Sequence, residues 1–276
     1  MPRLPRIDPW QSSRQPGRGK TWAVAVAIGV IFLAGLWLWL LGQKSAVSTD
    51  PVTLCRTDHP PSEIVVFLLD LSDEFTEAQR IDVLNRVRRI QSGVGKFGLV
   101  QTYAVTGTVG IGTALFEMCN PGSGSDLNTL YQNPGLAKKK WEKFSTDLDA
   151  HLRTLMSSRG AAASPIMEAV QASALRTFNQ PQFADVPKRL VVVSDLLQYV
   201  PGRVNQYEVL LPFDQFAGMS YFSEVRADLE DIEVTLLYLV RPRSPQPWPA
   251  HRLFWEAYFR AQGAEVDRIE PIFGGR

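Results

Sequence analysis

Only two cysteines occur in 276 residues, which allows one bridge and rules out a disulfide-dense scaffold. No charge sign dominates either. Against 28 acidic side chains stand 29 basic ones, a net +1, which is too little for a domain that grips nucleic acid through a broad basic field. Histidine is scarce, and His59, His151 and His251 lie far apart without the spacing of zinc ligands. No G-x-S-x-G nucleophile motif is present. The run GTVGIGT reads G-x-x-G-x-G rather than G-x-G-x-x-G and joins two strand-like runs, so it is turn chemistry. No internal repeat of about 20–50 residues occurs. What is abundant is apolar content, 45%, enough to fill a core and to exclude a disordered chain.

That apolar content is unevenly spread. Residues 1–20 carry Arg3, Arg6, Arg14, Arg18 and Lys20 against Asp8, with prolines at 2, 5, 9 and 16, and predict an arm without regular helix. From Trp22 to Gly42 the chain has no charge. At a rise of 1.5 Å per residue, about 20 residues match the roughly 30 Å hydrocarbon core of a bilayer. Trp22, Trp37 and Trp39 lie toward the ends, where indoles favour the interface. A buried soluble helix would be amphipathic. A cleaved signal peptide would have an apolar region of about 7–15 residues and an A-x-A site. Residues 21–42 therefore predict an uncleaved transmembrane anchor. Five basic residues precede it and only Lys44 follows closely, so the positive-inside rule puts residues 1–20 in the cytoplasm. The remainder, beginning with a polar linker over residues 43–61, is then periplasmic or extracellular. The near-neutral total divides accordingly: residues 1–20 carry +4, and the other residues, with 24 basic against 27 acidic, carry −3.

Residues 62–276 alternate between strand and helix patterns. Ile64–Asp70 (IVVFLLD) and Arg189–Asp195 (RLVVVSD) read as strands buried on both faces. Further strands are expected at Leu99–Val105, Thr113–Cys119, Ile232–Val240 and Glu265–Ile269. Helices are expected at Glu74–Ser92, Leu136–Met156, Pro165–Phe178, near Tyr221–Leu229 and at His251–Gln262. The turn Thr106–Gly112 is too short for a parallel crossover, so Thr113–Cys119 pairs antiparallel. The fold class is an α/β open doubly wound, mostly parallel sheet with one antiparallel edge strand, preceded by a single transmembrane helix. Lys138, Lys139 and Lys140 read as a solvated helix start, and residues 242–249 (PRSPQPWP) as a rigid connector.

In open α/β sheets ligands bind beyond the carboxyl ends of the strands, where strand order reverses. Two strands here end in acids, in Asp70-Leu71-Ser72-Asp73-Glu74 and Ser194-Asp195, and Ser164 opens a helix. One reading is a cation site of hard oxygen ligands, Asp70, Ser72, Glu74, Ser164 and Asp195, suited to Mg²⁺ or Mn²⁺. The other has Asp70 and Asp195 capping the helices after their strands and Ser164 as an N-cap before Pro165.

At these positions the chain resembles the von Willebrand factor type A domain family. Its metal-ion-dependent adhesion site is written Asp-x-Ser-x-Ser, then Thr, then Asp, in three loops. Asp70 and Ser72 match the first element, Ser164 in SPIMEAV stands at the Thr, and Asp195 in VVVSD at the last Asp. The resemblance, spanning roughly residues 62–272, implies a parallel sheet with an antiparallel edge and binding of a protein partner rather than catalysis. Glu74 replaces the third hydroxyl and adds negative charge, so metal binding is expected more firmly than capture of a partner's carboxylate.

Cys55 lies upstream of the first strand, at the sheet's amino end, and Cys119 ends the strand that runs back to that end. A Cys55–Cys119 disulfide is expected in an oxidising compartment. These features describe a membrane-anchored binding or assembly module that engages a protein partner and no nucleic acid. Two other readings remain: a metal-independent structural subunit of an envelope complex, and a metal-dependent hydrolase with Asp73 as its base. An aspartyl-nucleophile phosphatase is disfavoured, because Ser72 stands where its second Asp belongs.

Overall fold

The computed structural model describes residues 18–43, 47–107, 114–123, 134–157, 160–241 and 244–274. Two compact units emerge, Met1–Val47 and Ser48–Arg276. In the first, helix α1 (Arg18–Gln43) contains the stretch Trp22–Leu40, whose mean hydropathy is 2.5. It is long and apolar enough to cross a membrane. Most of the basic arm expected over residues 1–20 lies outside the described residues; Arg18–Lys20 begin α1.

The second unit opens inside the expected linker with a turn. Asp50 Oδ1 accepts hydrogen bonds from the backbone N–H groups of Val52 (2.9 Å) and Thr53 (2.7 Å), and Thr49 bridges Arg56. Strand β1 (Ile64–Asp70) follows and is wholly buried. Helix α2 (Glu77–Ser92) starts three residues later than expected, because Thr76 and Gln79 form a reciprocal capping box that fixes its first turn. Phe75 is therefore buried ahead of the helix, while Ile81 points to solvent.

Strands β2 (Leu99–Val105) and β3 (Phe116–Cys119) pair antiparallel, and residue 113, the expected start of β3, lies outside the described residues. Helix α3 (Pro134–Leu155) precedes α4 (Ile166–Ser173), which runs on as one turn of π-helix over Ala174–Phe178. Lys138 and Lys139 are exposed on α3. Strand β4 (Lys188–Ser194) leads to a small hairpin of β5 (Tyr199–Val200) and β6 (Val204–Asn205) that sequence patterning missed. Short helices α5 (Phe213–Ala217) and α6 (Ser220–Val225) replace the single segment expected near Tyr221–Leu229. Strand β7 (Ile232–Val240) has the expected bounds. Helix α7 (Trp248–Arg260) begins inside the expected connector, with Pro247 as N-cap and Pro249 in its first turn, where its missing N–H costs nothing. Of that connector, residues 242 and 243 lie outside the described residues. Strand β8 (Glu265–Phe273) runs four residues past its expected end, through Pro271, which an edge strand tolerates.

The six-stranded sheet has the order β3-β2-β1-β4-β7-β8, parallel except for β2–β3. This is the architecture the resemblance implies. Period-two alternation divides the core. Ile64, Val66 and Leu68 pack with Met167 and Val170 of α4, Tyr221 of α6 and Trp255 of α7. Val65, Phe67 and Leu69 pack with Val83 and Leu84 of α2 and with Phe144 and Leu148 of α3. Burying each such large side chain contributes roughly 1.5–3 kcal/mol. Cys55 and Cys119 are joined by a disulfide, and the N–H of Cys119 donates to the Thr53 carbonyl (2.7 Å), fixing residues 50–55 to the sheet edge. From β1 the chain winds toward β2, and from β4 it winds the other way toward β7. The reversal leaves a crevice beyond the carboxyl ends of β1 and β4.

Candidate functional site

Asp70 ends β1 in this crevice, 3% exposed, and three donors converge on it. The backbone N–H of Ser72 reaches Oδ1 at 3.0 Å. The hydroxyls of Ser194 (2.6 Å) and Ser164 (3.2 Å) reach Oδ2. Ser72 contributes its own hydroxyl, which donates to Ser164 Oγ at 3.1 Å. Three loops, after β1, before α4 and at the end of β4, thus place one carboxylate and three hydroxyls together. Burial pushes the Asp70 carboxyl above its usual range, against the lowering pull of its Ser194, Ser72 and Ser164 bonds.

The loop carrying Ser164 is held from two sides. The Ala161 N–H donates to the Ser72 carbonyl (2.8 Å), and Ser164 exchanges backbone hydrogen bonds with Tyr199 (2.8 and 3.0 Å). Gly160 permits the first contact, since a Cβ there would lie 2.5 Å from the Ser72 carbonyl oxygen. The side chain of Ser164 does not cap α4: the N-cap is Pro165, and it makes no side-chain cap bond. Nor does Asp70 cap α2, where Thr76 has that role. Both side chains go to the cluster instead.

Asp195, 2% exposed, stands beside Asp70 but is held differently. Its Oδ1 accepts the Leu197 N–H (3.2 Å), and its Oδ2 pairs with Arg241 Nε at 3.0 Å. Burial and the negative charge of Asp70 raise its pKa to about 7, opposed by the Arg241 guanidinium. Arg241 also donates to the Glu74 carbonyl through Nη1 (2.7 Å). Glu74 itself is exposed and meets the site through that carbonyl, so the structure does not gather its carboxylate with the rest. Asp73 is half-buried at the rim and accepts the Tyr207 hydroxyl at 2.7 Å.

Sequence reasoning missed Ser194, Arg241 and Tyr207. A signal existed for the first two. Ser194 precedes an Asp already singled out, and Arg241 directly follows β7, the neighbour of β4. Tyr207 had none, because its place depends on the unforeseen β5–β6 hairpin.

Buried polar side chains support that hairpin. Gln198 donates through Nε2 to Glu168 (2.9 Å) and the Tyr221 hydroxyl (2.7 Å), while its Oε1 accepts the Met167 N–H (3.0 Å). Gln206 Oε1 accepts the Gln198 N–H (3.1 Å), and Gln246 Nε2 donates to the Gln206 carbonyl (2.6 Å). The Trp255 indole N–H donates to the Leu196 carbonyl (2.9 Å) and to His251 Nε2 (3.0 Å). Accepting there leaves the His251 proton on Nδ1, 2.8 Å from the Tyr238 hydroxyl. Burial lowers the His251 pKa to about 4, so the ring is neutral in this network at physiological pH.

The donor chemistry of the cluster fits a small hard cation. Around Mg²⁺, with ligands at about 2.1 Å, neighbouring oxygens sit about 3 Å apart. Ser72 Oγ to Ser164 Oγ is 3.1 Å, and Ser164 Oγ to Asp70 Oδ2 is 3.2 Å. Among the described residues no group of three or more His, Cys, Asp or Glu is placed to hold a metal ion, so hydroxyls would have to supply the other ligands.

No protein-family model and no curated relative matches the sequence. Solved structures with a similar chain path include the conserved hypothetical protein BatB from Bacteroides thetaiotaomicron, with 12% identity and a TM-score of 0.39 over 77% of this chain and 91% of that one. An aerotolerance-related membrane protein from Bacteroides fragilis NCTC 9343, carrying multiple mutations to serines, has 16% identity and a TM-score of 0.32 over 76% of this chain and 91% of that one. The pilus adhesin SpaC from Lactobacillus rhamnosus GG, in an open conformation, has 11% identity and a TM-score of 0.40 over 79% of this chain and 28% of that one.

Proposed function

We propose that this chain is a binding or assembly module, not an enzyme, anchored through residues 21–42 and displayed outside the cytoplasm. Its partner is a protein that docks on the carboxyl edge of the sheet, next to a Mg²⁺ or Mn²⁺ ion held by Asp70, Ser72 and Ser164. Asp195 acts directly or through water. The observation that carries this reading is the meeting of buried oxygens from separate loops around Asp70. Two buried carboxylates, Asp70 and Asp195, face one guanidinium, and the unbalanced negative charge suits a divalent ion. When bound, that ion neutralises the acids and offers a coordination position to a partner's oxygen. Calorimetric titration of the full chain in detergent with MgCl₂ or MnCl₂ tests it. Asp70→Ala and Asp70→Asn are expected to abolish the heat of binding, and unchanged affinity in both variants refutes the metal site.

A second reading rests on the Arg241–Asp195 pair, which places a permanent positive charge where a cation would otherwise act. On this reading the fold serves as a structural subunit without metal. Capture of partners from membrane extracts decides between the two. Binding that survives chelator and Asp70→Asn favours the structural subunit, and binding lost in both favours the metal-assisted module.

A further inference from the structure

We propose that the cleft beside the cluster receives a basic side chain of the protein partner, an arginine by preference. The proposal rests on the binding-module reading and names the chemistry of the residue recognised. The cleft, about 270 Å³, opens between the loop after β1, the loop before α4 and the β5–β6 hairpin. The small side chains of Ala161, Ala162 and Ala163 keep one wall low. Opposite them, Tyr199 and Tyr207 lie edge to face, with ring centroids 6.0 Å apart at 79°, and Tyr207 is 36% exposed.

The acids of the site are unequally satisfied. Asp70 has three donors, and Asp195 has Arg241 and a backbone N–H. Asp73, which lines the cleft, accepts only the Tyr207 hydroxyl on Oδ2, and among the described residues its Oδ1 has no partner and no cation pairs with it. Arg241 cannot serve it, being engaged by Asp195 and the Glu74 carbonyl.

An unpaired carboxylate next to a phenol face matches a planar guanidinium, which stacks on the ring while its N–H fork reaches the carboxylate. Lysine keeps the charge but loses the stacking plane and the fork. A glutamate would meet Asp73 in repulsion. The preference is thus opposite in charge to capture of a partner carboxylate by the metal, although Ser72 and Ser164 line the same cleft.

Fluorine NMR on the full chain in detergent, labelled with fluorotyrosine, provides the test, with Tyr199→Phe and Tyr207→Phe assigning the two resonances. The probes are the N-acetyl methylamides of arginine, citrulline, lysine and glutamate, each added in EDTA and again in MgCl₂. The arginine compound is expected to shift both resonances saturably and to bind about tenfold or more tightly than its uncharged citrulline counterpart. Asp73→Asn is expected to remove that advantage while the other tyrosine resonances stay in place, which reports an intact fold. The proposal is overturned by equal binding of arginine and citrulline, by tighter binding of glutamate, by no shift with arginine, or by an unchanged response in Asp73→Asn. A negative result here leaves the calorimetric metal titration free to succeed, so the two failures are distinguishable.

Discussion

Replacing Asp195 with Asn should change how stability depends on pH. The carboxyl, 2% exposed, has its pKa moved from the ordinary 3.8 to about 7 by burial and by the charge of Asp70. A shift of about 3 units corresponds to about 4 kcal/mol. The unfolded chain releases this proton near pH 4, while the folded chain keeps it to about 7. Across that window the native state binds more protons, so the stability this group confers is fully present at low pH and is lost as pH rises through the folded value. His251 acts in the opposite direction. Its depressed pKa makes stability rise with pH between about 4 and its ordinary 6.5, so the wild-type curve alone is a mixture. The difference between wild type and Asp195→Asn isolates the acid. Asn still accepts the Leu197 N–H, and Arg241 can turn to solvent, since its side chain is 19% exposed.

Urea unfolding of the full chain in nonionic detergent with EDTA, followed by tryptophan fluorescence from pH 4.5 to 8, is the assay. We expect Asp195→Asn to gain on wild type by up to about 4 kcal/mol from acid to alkaline pH, most of it before about pH 7. Parallel curves for the two proteins would refute the burial argument. Adding Mg²⁺ at ten times its dissociation constant should return about 1.4 kcal/mol to wild type at pH 8.

Two further perturbations probe the frame of the site. The disulfide closes a loop with a sequence separation of 64, for which chain entropy predicts about 4 kcal/mol of stabilisation. Cys55→Ser with Cys119→Ser should therefore lower the midpoint of urea unfolding, and an unchanged midpoint would show that the turn at Asp50 holds the edge unaided. Gly160→Ala puts a Cβ 2.5 Å from the Ser72 carbonyl oxygen, so the loop before α4 must move. The expected cost is about 1–3 kcal/mol, with weakened Mg²⁺ binding in calorimetry, and wild-type values for both would contradict the close approach.

Strands buried on both faces were the most legible part of the chain. IVVFLLD, LVQTYAV and IEVTLLYLV form β1, β2 and β7 with the expected bounds; the first is apolar up to Asp70, as a strand buried on both faces demands, and polar residues interrupt the other two only at Gln101, Thr102, Glu233 and Thr235. Helix starts were less legible. The onset of α2 is set by a hydrogen-bonded exchange between Thr76 and Gln79 rather than by where apolar residues recur. Strand β8 extends past Pro271 because only a central strand forbids proline, and its edge position follows from the order of the sheet. Within the site, Asp70, Ser72 and Ser164 could be named from their places at loop starts. Arg241 was legible only as the residue that follows β7, since its pairing with Asp195 arises once β7 lies beside β4. The β5–β6 hairpin, two residues a side, is too short for any periodic signal.

The hairpin's polar underside bears on how the cleft meets a ligand. Gln198 and Gln206 are 0% and 2% exposed; the Gln198 side chain is bonded to α4 and α6, and Gln206 Oε1 accepts the Gln198 N–H. Moving the Tyr199–Tyr207 wall would strip hydrogen bonds from amides that no water reaches, at about 1–3 kcal/mol each. The wall is therefore preorganised. Its conformational entropy is surrendered when the chain folds, and little remains to be lost when a ligand arrives. Association should then resemble a key entering a finished lock, with the hydrogen-bonded backbone N–H groups of Gln198, Tyr199 and Gln206 resisting hydrogen exchange equally well before and after docking.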